Sequence, residues 1–386
     1  MQAVILKCPQ RAQFHFGKIA LDVDTSLDDT SVILHSDTIF SAIITTIAKI
    51  SEHDAKEEKT LGPEDFIEFF ENDQIRISSG FHCLELADAR FIYFLPKPIH
   101  FNLDKSENNE DRKQQSRIRF ISKKVWEMGL GPKEWADCTI FQNRYVVHNS
   151  ELVSIDGFNT ERMKIYEIHS LPKVSIHKPT KEDSIYFQTN LMLADNRHLI
   201  SKKGKTIKQL ASLKAQLPGI HYYFLLNDHN LPGGSTGKAA KKLRAAIRVL
   251  ADTGIGGERS VGCGRLDGVA FNDFDLEVGQ NKYWCSMSLI NPNGLAEQQQ
   301  LQRWKMITRG GRRIPKSQVI TQEKLPLDYT PKLQRVKMVA EGALLGDDIG
   351  GRIVPIPVED KKHETTSHHV RSGKGMSLPI HPNVYP

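Results

Sequence analysis

A chain of 386 residues exceeds one ordinary domain, so its length predicts two or three domains. Its composition, with 39% hydrophobic, 25% charged and 8% aromatic residues, is that of an average globular protein and excludes wholesale disorder, a collagen-like repeat and a disulfide scaffold. The formal charge of +6, from 52 basic and 46 acidic side chains, is compatible with an anionic partner but does not establish one.

The first predicted elements are a strand, a loop and a helix. Apolar and polar residues alternate between Ala12 and Phe16, which is the period of a strand with one buried face. Ser36 can cap a helix that begins at Asp37, whose carboxylate complements the positive helix end. The apolar residues of this helix recur at helical spacing: Phe40, Ile43, Ile44, Ile47 and Ile50.

An acidic stretch and a buried strand come next. Residues 52–73 carry nine acidic side chains against two lysines, which predicts a solvated helical insertion. The segment FIYFL, from Phe91 to Leu95, predicts a buried strand that ends at Pro96. Residues 102–116 are polar and charged throughout and predict an exposed loop.

Basic side chains are concentrated in windows that contain no acidic residue. Residues 112–124 hold six basic side chains, 233–251 hold five and 298–322 hold six. A single block of like charge is typical of a solvated face. Three such windows together favour contacts with a polyanion.

The middle of the chain predicts a hairpin arm, a strand and an amphipathic helix. Residues 165–176 and 184–193 have strand character around a polar turn. The segment HYYFLL at 221–226 predicts a buried strand, whose tyrosines suit the core better than a stacking surface. Residues 236–251 predict a helix with Lys241, Arg244 and Arg248 on its polar side. Its apolar stripe contains Ala239, Leu243, Ala246, Ile247 and Leu250.

A glycine-rich loop follows that helix, with six glycines in the fifteen residues from Gly254 to Gly268. Dense glycine lets backbone N–H groups approach a phosphate chain, and Arg259 and Ser260 add charge and a hydroxyl donor. We expect Gly257 to adopt a positive φ there, so that a branched side chain would disrupt the loop. The alternative is a tight turn with no ligand between the helix and a returning strand at 267–274.

The order of elements predicts an α+β fold built from two ferredoxin-like domains, the pattern of RNA-recognition motifs. We place the first at residues 1–275, with a large hairpin insertion at about 170–205, and the second at 276–386. In the second we expect a strand at 284–290, a helix at 295–308, strands near 336–345 and 352–358, and a flexible polar tail rich in His, Gly and Pro.

Two nucleotide-binding motifs fail on their residues. A P-loop interpretation of 232–239 lacks its first glycine, because Pro232 stands there, and its magnesium ligand, because Ala239 follows the lysine. A dinucleotide fingerprint starting at Gly254 has Arg259 in place of its third glycine and follows a helix instead of a strand.

The remaining chemistry-bearing residues give no catalytic or metal site. The five cysteines, at 8, 83, 138, 263 and 285, include no CxxC pair, which predicts reduced thiols and no structural zinc. No apolar run approaches the length of a membrane span and no signal peptide is recognised, so we expect a cytoplasmic protein without a membrane contact. From the residues we also expect no cofactor and no metal. The histidines have no fixed partners, and those at 363, 368 and 369 lack a spaced third ligand.

An ordered set of motifs resembles one family. The motifs, in chain order, are FHFG (Phe14 to Gly17), HSDTIFSAI (His35 to Ile43), GIGGERSVGCGRL (Gly254 to Leu266), SMSLINP (Ser286 to Pro292), VAEGALL (Val339 to Leu345) and HHVRSGKGMSLPI (His368 to Ile380). Together they resemble the RAMP-superfamily, Cas-five-like fourth subunits of type III-A CRISPR Csm effector complexes. The likeness extends over almost the whole chain.

The resemblance implies an RNA-binding subunit of antiviral defence that is not an enzyme. Such subunits hold the 5′ handle of the crRNA, dock the large polymerase-like subunit and contact the backbone RAMP subunits, while a hairpin thumb interrupts the duplex of guide and target RNA. The thumb residues implied here are His177, Lys178, Lys202, Lys203 and Lys205. The RNA-binding residues, from the resemblance and from the basic helix and loop, are His15, Gly17, Ser36, Lys241, Arg244, Arg248, Gly254, Gly256, Gly257, Arg259, Ser260, Gly262, Gly264 and Arg265.

Two other functions remain open from the residues. The main alternative is a RAMP endoribonuclease that cuts repeat RNA with a histidine such as His15 or His35 as general base. In those enzymes the glycine-rich loop lies near the C-terminus, whereas 122 residues follow Gly264 here (386 − 264 = 122). The third function is a purely structural scaffold, which predicts no RNA affinity for the isolated chain.

Overall fold

The computed structural model describes residues 1–17, 29–53, 61–99, 113, 115–152, 158, 160–175, 184–200, 206–312, 332–356 and 369–384. The strands are β1 (Gln2–Lys7), β2 (Gln13–Phe14), β3 (Arg76–Ile77), β4 (Phe81–Glu85), β5 (Phe91–Pro96), β6 (Phe120–Ser122), β7 (Cys138–Phe141), β8 (Tyr145–His148), β9 (Tyr166–Ser175), β10 (Ser184–Leu193), β11 (Gly219–Asn227), β12 (Gly268–Asp273), β13 (Trp284–Ser286), β14 (Leu301–Arg303), β15 (Met306–Arg312), β16 (Lys332–Val339), β17 (Leu344–Leu345), β18 (Gly351–Ile356), β19 (His369–Lys374) and β20 (Ser377–Pro379). The α-helices are α1 (Ser36–His53), α2 (Pro63–Glu71), α3 (Lys123–Glu127), α4 (Ile207–Ala215), α5 (Lys238–Thr253) and α6 (Gly294–Gln299). The α+β class predicted from the sequence is confirmed.

The N-terminal sheet has the strand order β12-β1-β11-β4-β5-β6-β8-β7, with β3 paired to β11. Its neighbouring strands are antiparallel except β6 and β8, which run parallel. The sequence prediction missed β1 and placed the first strand at 12–16, where the structure has only the short β2. Ala3 to Leu6 are all fully buried in β1, so this strand shows no alternation of apolar and polar residues.

Two helices predicted from apolar spacing cover one face of this sheet. Helices α1 and α5 pack against each other and against the core, and the predicted stripe of α5 from Ala239 to Leu250 is buried. The acidic insertion is only partly solvated, because Phe66 and Phe70 of α2 are buried and the Phe70 ring meets the Phe40 ring at 5.0 Å. None of the helices within the described ranges has the length and apolar character that a membrane span needs.

A long hairpin belongs to a separate sheet, and the sequence predicts its two strands. Strands β9 and β10 pair over ten residues each, and β10 also pairs with β2, which gives a three-stranded sheet of order β2-β10-β9. Phe14 of β2 packs against the Tyr222 ring of β11 at 5.2 Å and fixes the base of the hairpin on the main sheet. We call β9 and β10 the arm.

The C-terminal part is richer in strands than predicted. Its largest sheet has the order β14-β17-β13-β20, and β15–β16 and β18–β19 form hairpins. The helix expected at 295–308 ends at Gln299, because Leu295, Trp304 and Met306 remain exposed and form no buried face. The prediction of a flexible tail is wrong for residues 369–384, since β19 and β20 contribute buried residues such as Leu378.

A buried ionic network joins the two parts. Both carboxylate oxygens of Asp37 accept hydrogen bonds from Arg309, at 2.9 and 3.1 Å, and Arg371 adds a further ion pair. Burial opposes ionisation of Asp37, but these arginines hold its pKa well below the usual range. Asp37 therefore does more than complement the helix end, because it anchors β15 and β19 to α1.

Neighbouring pairs extend this network. His35 Nδ1 lies 2.8 Å from Glu341 Oε1, and Arg76 binds Asp348 through two nitrogens, at 2.6 and 3.2 Å. The two parts of the chain are therefore held together by buried polar contacts as well as by apolar packing.

We expect Asp37→Asn to lower the free energy of unfolding by about 3–5 kcal/mol, because it leaves two buried guanidinium groups without their carboxylate. Since the pKa of Asp37 is depressed in the folded state, its stabilisation is present above the ordinary carboxyl pKa and is lost as pH falls. Urea unfolding of the variant and the wild type at decreasing pH measures the difference. Asp252→Asn, at an exposed position of α5, is the matched control and should change little.

Glu151 predicts an opposite pH dependence. Burial raises the pKa of its carboxyl from 4.5 to about 7. Hydrogen bonds from the Ser122 hydroxyl and the His148 N–H act in the opposite direction but are outweighed. The contribution of the neutral carboxyl to the free energy of unfolding is therefore fully present below pH 4.5 and is lost as the pH rises towards 7. Between pH 4.5 and 7, the free energy of unfolding of Glu151→Gln should rise by about 3 kcal/mol relative to that of the wild type, because the amide does not ionise. Urea unfolding in steps of pH checks it, and an unchanged difference, or an equal effect of exposed Glu161→Gln, would contradict it.

Candidate nucleic-acid interface

The glycine-rich loop, residues 254–268, follows α5 without a spacer. Gly254 adopts φ +73° and its N–H donates to the Leu250 carbonyl, which ends the helix. Gly256, Gly262 and Gly264 also have positive φ. Glycine therefore stands at four of the five positions of the loop where φ is positive, and Glu258 is the fifth.

Backbone hydrogen bonds tie this loop to the outer edge of β2. Gly257 N–H donates to the His15 carbonyl at 2.9 Å and Gly264 N–H donates to the Gln13 carbonyl at 2.7 Å. Across the loop, Ile255 N–H donates to the Gly264 carbonyl at 3.0 Å. The loop is thus a closed structure held on the strand that carries the arm.

The expectation for Gly257 is wrong in its reason. Gly257 does not have a positive φ, whereas its non-glycine neighbour Glu258 does, at +55°. A Cβ at Gly257 would lie 3.2 Å from Cδ2 of the His15 ring. Glycine stands at 257 because the loop approaches His15 closely, and the conformational demand falls on Gly256 and Gly264.

The outer side of the loop presents charge and polar groups. Arg259, Ser260 and Arg265 are exposed, and Arg259 Nη1 donates to the Thr253 carbonyl at 3.3 Å. Within the described ranges, the backbone N–H groups of Arg259 and Ser260 have no hydrogen-bond partner. An anion at this surface can therefore find both guanidinium and N–H donors.

The three basic residues predicted on α5 have different environments. Lys241 and Arg248 are exposed, and Arg248 lies 5.3 Å from the Phe271 ring centre. Arg244 is partly buried and donates to Asp228 Oδ2 and Gln2 Oε1, each at 2.9 Å. Arg244 is therefore largely committed to the protein, whereas Lys241 and Arg248 present their charges to solvent.

The residues predicted beside the loop differ in their exposure to solvent. His15 is 5% exposed, and its ring Nδ1 donates to the Thr189 carbonyl of β10 at 2.9 Å. Gly17 is exposed and pairs with Thr30 through an isolated bridge. Ser36 is 2% exposed and accepts the Leu289 N–H at 3.0 Å, so its hydroxyl neither caps α1 nor reaches the surface. Its role in the structure is to join the two parts of the chain.

The outer arm carries an apolar face that the sequence prediction did not single out. The register places Ile185 opposite Val174 and Phe187 opposite Pro172, all on one face. Ile185 is 72% exposed, Val174 58% and Phe187 53%. The alternation of Ile185 and Phe187 with polar residues was the available signal. The predicted thumb residues His177, Lys178, Lys202, Lys203 and Lys205 lie outside the described residues.

Comparison with known proteins places these features in context. No protein-family model matches the chain. In sequence it is similar to the CRISPR system Cms protein Csm4 of Methanocaldococcus jannaschii, with 27% identity over 293 residues, 72% of this chain and 69% of that protein. In structure it is similar to a chain in the crystal structure of a Csm1-Csm4 cassette in complex with cA4, with a TM-score of 0.52, 14% identity and 98% of each chain covered. The structural likeness shows a shared fold.

The geometry predicts which glycine of the loop is most sensitive. A Cβ at Gly264 would collide with the Ile255 carbonyl oxygen, whereas a Cβ at Gly262 would meet no atom within 4 Å. Both residues have positive φ, which costs about 1–2 kcal/mol for a residue with a Cβ. Gly264→Ala should therefore destabilise the protein by several kcal/mol and Gly262→Ala by about 1 kcal/mol. Urea unfolding measures both, and equal destabilisation would contradict the packing of the loop.

Proposed function

We propose that this chain, which is similar in sequence to a Csm4 protein, is the RAMP-superfamily fourth subunit of a type III-A CRISPR Csm effector complex and binds the 5′ handle of the crRNA. In this role it has no catalytic centre and serves antiviral defence in the cytoplasm. The observation that carries the proposal is the glycine-rich loop, which is anchored on β2 and presents Arg259, Ser260 and Arg265 to solvent.

The charges around the loop suit an RNA backbone. Lys241 and Arg248 of α5 are exposed just before it in the chain, so cations lie on both sides of Gly254 in the sequence. Guanidinium groups bind phosphate oxygens through paired N–H donors, and backbone N–H groups at a glycine-rich surface add short contacts. Binding of this kind follows the backbone and does not require a particular base sequence.

Stacking of bases on the tyrosines of β11 has no support. Tyr222 and Tyr223 are fully buried, and their hydroxyls donate to the Val32 and Phe94 carbonyls, each at 2.9 Å. Base contacts are better supplied by the arm, where Phe187 and Ile185 are exposed. We propose that the arm is a thumb that contacts the duplex of guide and target RNA, since exposed apolar side chains can separate stacked bases.

The fold supports two ferredoxin-like units. In the N-terminal part, β1, α1, β4, β11, α5 and β12 follow the order strand, helix, strand, strand, helix, strand, and their sheet order β12-β1-β11-β4 is that of the ferredoxin-like fold. In the C-terminal part, the sheet order β20-β13-β17-β14 repeats this pattern, with α6 after β13 and the β18–β19 hairpin in place of a second helix. The change of sheet falls between Asp273 and Trp284, close to the predicted boundary at 275.

We also propose that the chain joins the large polymerase-like subunit to the backbone RAMP subunits of the complex. The similar solved chain belongs to a Csm1-Csm4 cassette, and we take Csm1 as the counterpart of the large subunit. Co-purification of this chain with its large subunit, with and without crRNA, tests the partnership.

The endoribonuclease alternative has weak support from the histidines. His35 engages both ring nitrogens, Nδ1 with Glu341 and Nε2 with the Ser31 hydroxyl at 3.2 Å, and it is buried. His15 is buried and donates its Nδ1 proton to a carbonyl. A general base needs a lone pair within reach of the substrate hydroxyl. Both ring nitrogens of His35 are already engaged, whereas Nε2 of His15 keeps its lone pair on a ring that is only 5% exposed.

We expect Arg259→Ala and Arg265→Ala each to weaken binding of labelled handle RNA by about tenfold, because each removes a charged group that binds phosphate. The slope of log Kd against log salt should decrease by about 0.7 for each phosphate that the variant no longer neutralises. Fluorescence anisotropy at several salt concentrations measures both quantities.

Arg352→Ala is the matched control, because Arg352 is an exposed arginine of β18 that donates to Asn291. Wild-type affinity and salt dependence in both loop variants would refute the assignment of the loop. Metal-independent cleavage of repeat RNA that His15→Ala abolishes would establish the endoribonuclease instead.

A further inference from the structure

A polar cavity of about 430 Å³ lies where β6 meets the turn between β7 and β8, and we call it the arginine cavity. It is lined by Ser116, Arg117, Arg119, Gln142, Asn143 and Arg144. No carboxylate is among these residues, and none of the three guanidinium groups forms an ion pair with a residue that the structure describes. Among the residues that the structure describes, the cavity therefore concentrates positive charge without a neighbouring carboxylate.

Two of the arginines are held side by side by the backbone. Arg119 N–H donates to the Arg144 carbonyl at 2.9 Å, and the Phe120 N–H donates to the same oxygen at 3.0 Å. Burial raises the pKa of both Tyr145 and Tyr166, and Arg144 and Arg119 oppose the rise in each case. The two guanidinium groups therefore act on the same region of the protein.

The turn that positions Arg144 is built in an unusual conformation. Gln142 and Asn143 both have positive φ, at 52° and 53°, and Arg144 N–H closes the turn on the Phe141 carbonyl at 2.9 Å. This is the backbone of a tight two-residue hairpin, where Asn-Gly is the common sequence. Gln142 occupies the first position of this turn, and its side-chain amide stabilises the turn. The amide donates to the Tyr166 carbonyl and accepts from the Ile165 N–H, each at 2.7 Å.

These bonds fix the arginine cavity relative to the arm. Tyr166 uses its backbone groups towards Gln142, on the edge of β9 that faces away from β10. The glycine-rich loop bonds to the outer edge of β2, at the opposite side of the β2-β10-β9 sheet. The arm thus stands between the glycine-rich loop and the arginine cavity.

We propose that the arginine cavity is a second RNA-backbone site, which binds phosphates of the crRNA strand after that strand has crossed the arm from the glycine-rich loop. This inference rests on the proposed function of the loop. Arginine forks match phosphate oxygens, and the volume accommodates a small polar ligand group. None of the lining residues is aromatic, so the site holds the backbone and not a stacked base.

Two labelled RNAs and the full chain test the proposal. One RNA carries the handle alone, and the other carries the handle followed by spacer nucleotides. Wild type should bind the longer RNA more tightly. Arg119→Ala with Arg144→Ala should weaken binding of the longer RNA by about tenfold for each arginine, and the slope against log salt should decrease by about 0.7 for each phosphate no longer neutralised. Binding of the handle alone should stay within about twofold of wild type.

The outcomes separate this inference from the proposed function. Equal affinity of the double variant and wild type for the longer RNA overturns the arginine cavity as an RNA site, while weak handle binding by Arg259→Ala keeps the function of the loop. Equal weakening on both RNAs also overturns the inference, because the cavity would then act through the handle or through the fold. Absence of any RNA binding by wild type refutes the proposed function itself.

A crosslink provides a readout that does not depend on stability. Ser116 is exposed and lines the arginine cavity, so Ser116→Cys can carry a photoreactive reagent. The cysteines at 8, 83, 263 and 285 are buried, but Cys138 is partly exposed, so the labelled chain also carries Cys138→Ser. A crosslink to the spacer nucleotides and not to the handle is expected. A crosslink confined to the handle, or to an acidic partner protein in place of RNA, would overturn the proposal.

Discussion

The buried carboxylate of Asp37 determines how the two parts of the chain are held together. It lies in the first turn of α1 and binds Arg309 of β15 and Arg371 of β19, so residues more than 270 positions apart meet at one point. Burying a charge is costly unless its partners are fixed, and here both oxygens are engaged. The arrangement therefore favours one relative placement of the C-terminal hairpins on α1, and α1 in turn packs on α5, from which the glycine-rich loop emerges.

The same network shows why a count of basic residues overstates the positive charge that is exposed to an anionic partner. Arg309 lies in one of the three basic windows but is buried against Asp37, and Arg244 of another window is bonded to Asp228. Arg259 and Arg265 lie outside those windows, yet they are exposed on a loop whose backbone is already closed. Whether a basic side chain can bind an external anion therefore depends on whether a carboxylate of the protein already binds it, and not on its position in the sequence.

The sequence predicted the elements whose signals are local. The stripe of α5, the two long strands of the arm and the glycine-rich loop each depend on neighbouring residues, and each is present. The elements it missed depend on distant contacts. Strand β1 is buried on both faces, β19 and β20 are ordered by pairing with β18 and β13, and the Ser36 hydroxyl accepts a bond from Leu289, 253 residues away. Periodicity cannot report such partners, because it describes only one segment at a time.

His15 connects the glycine-rich loop to the arm. Its carbonyl accepts the N–H of Gly257 in the loop, and its ring donates to Thr189 in the arm, so one residue is bonded to both. Strand β2 repeats the connection, with β10 on one edge and the loop on the other. The glycine-rich loop and the arm therefore share β2 as a common support, so a shift of the arm relative to the loop would strain the hydrogen bonds at His15. A displacement of the arm is therefore coupled to the conformation of the glycine-rich loop.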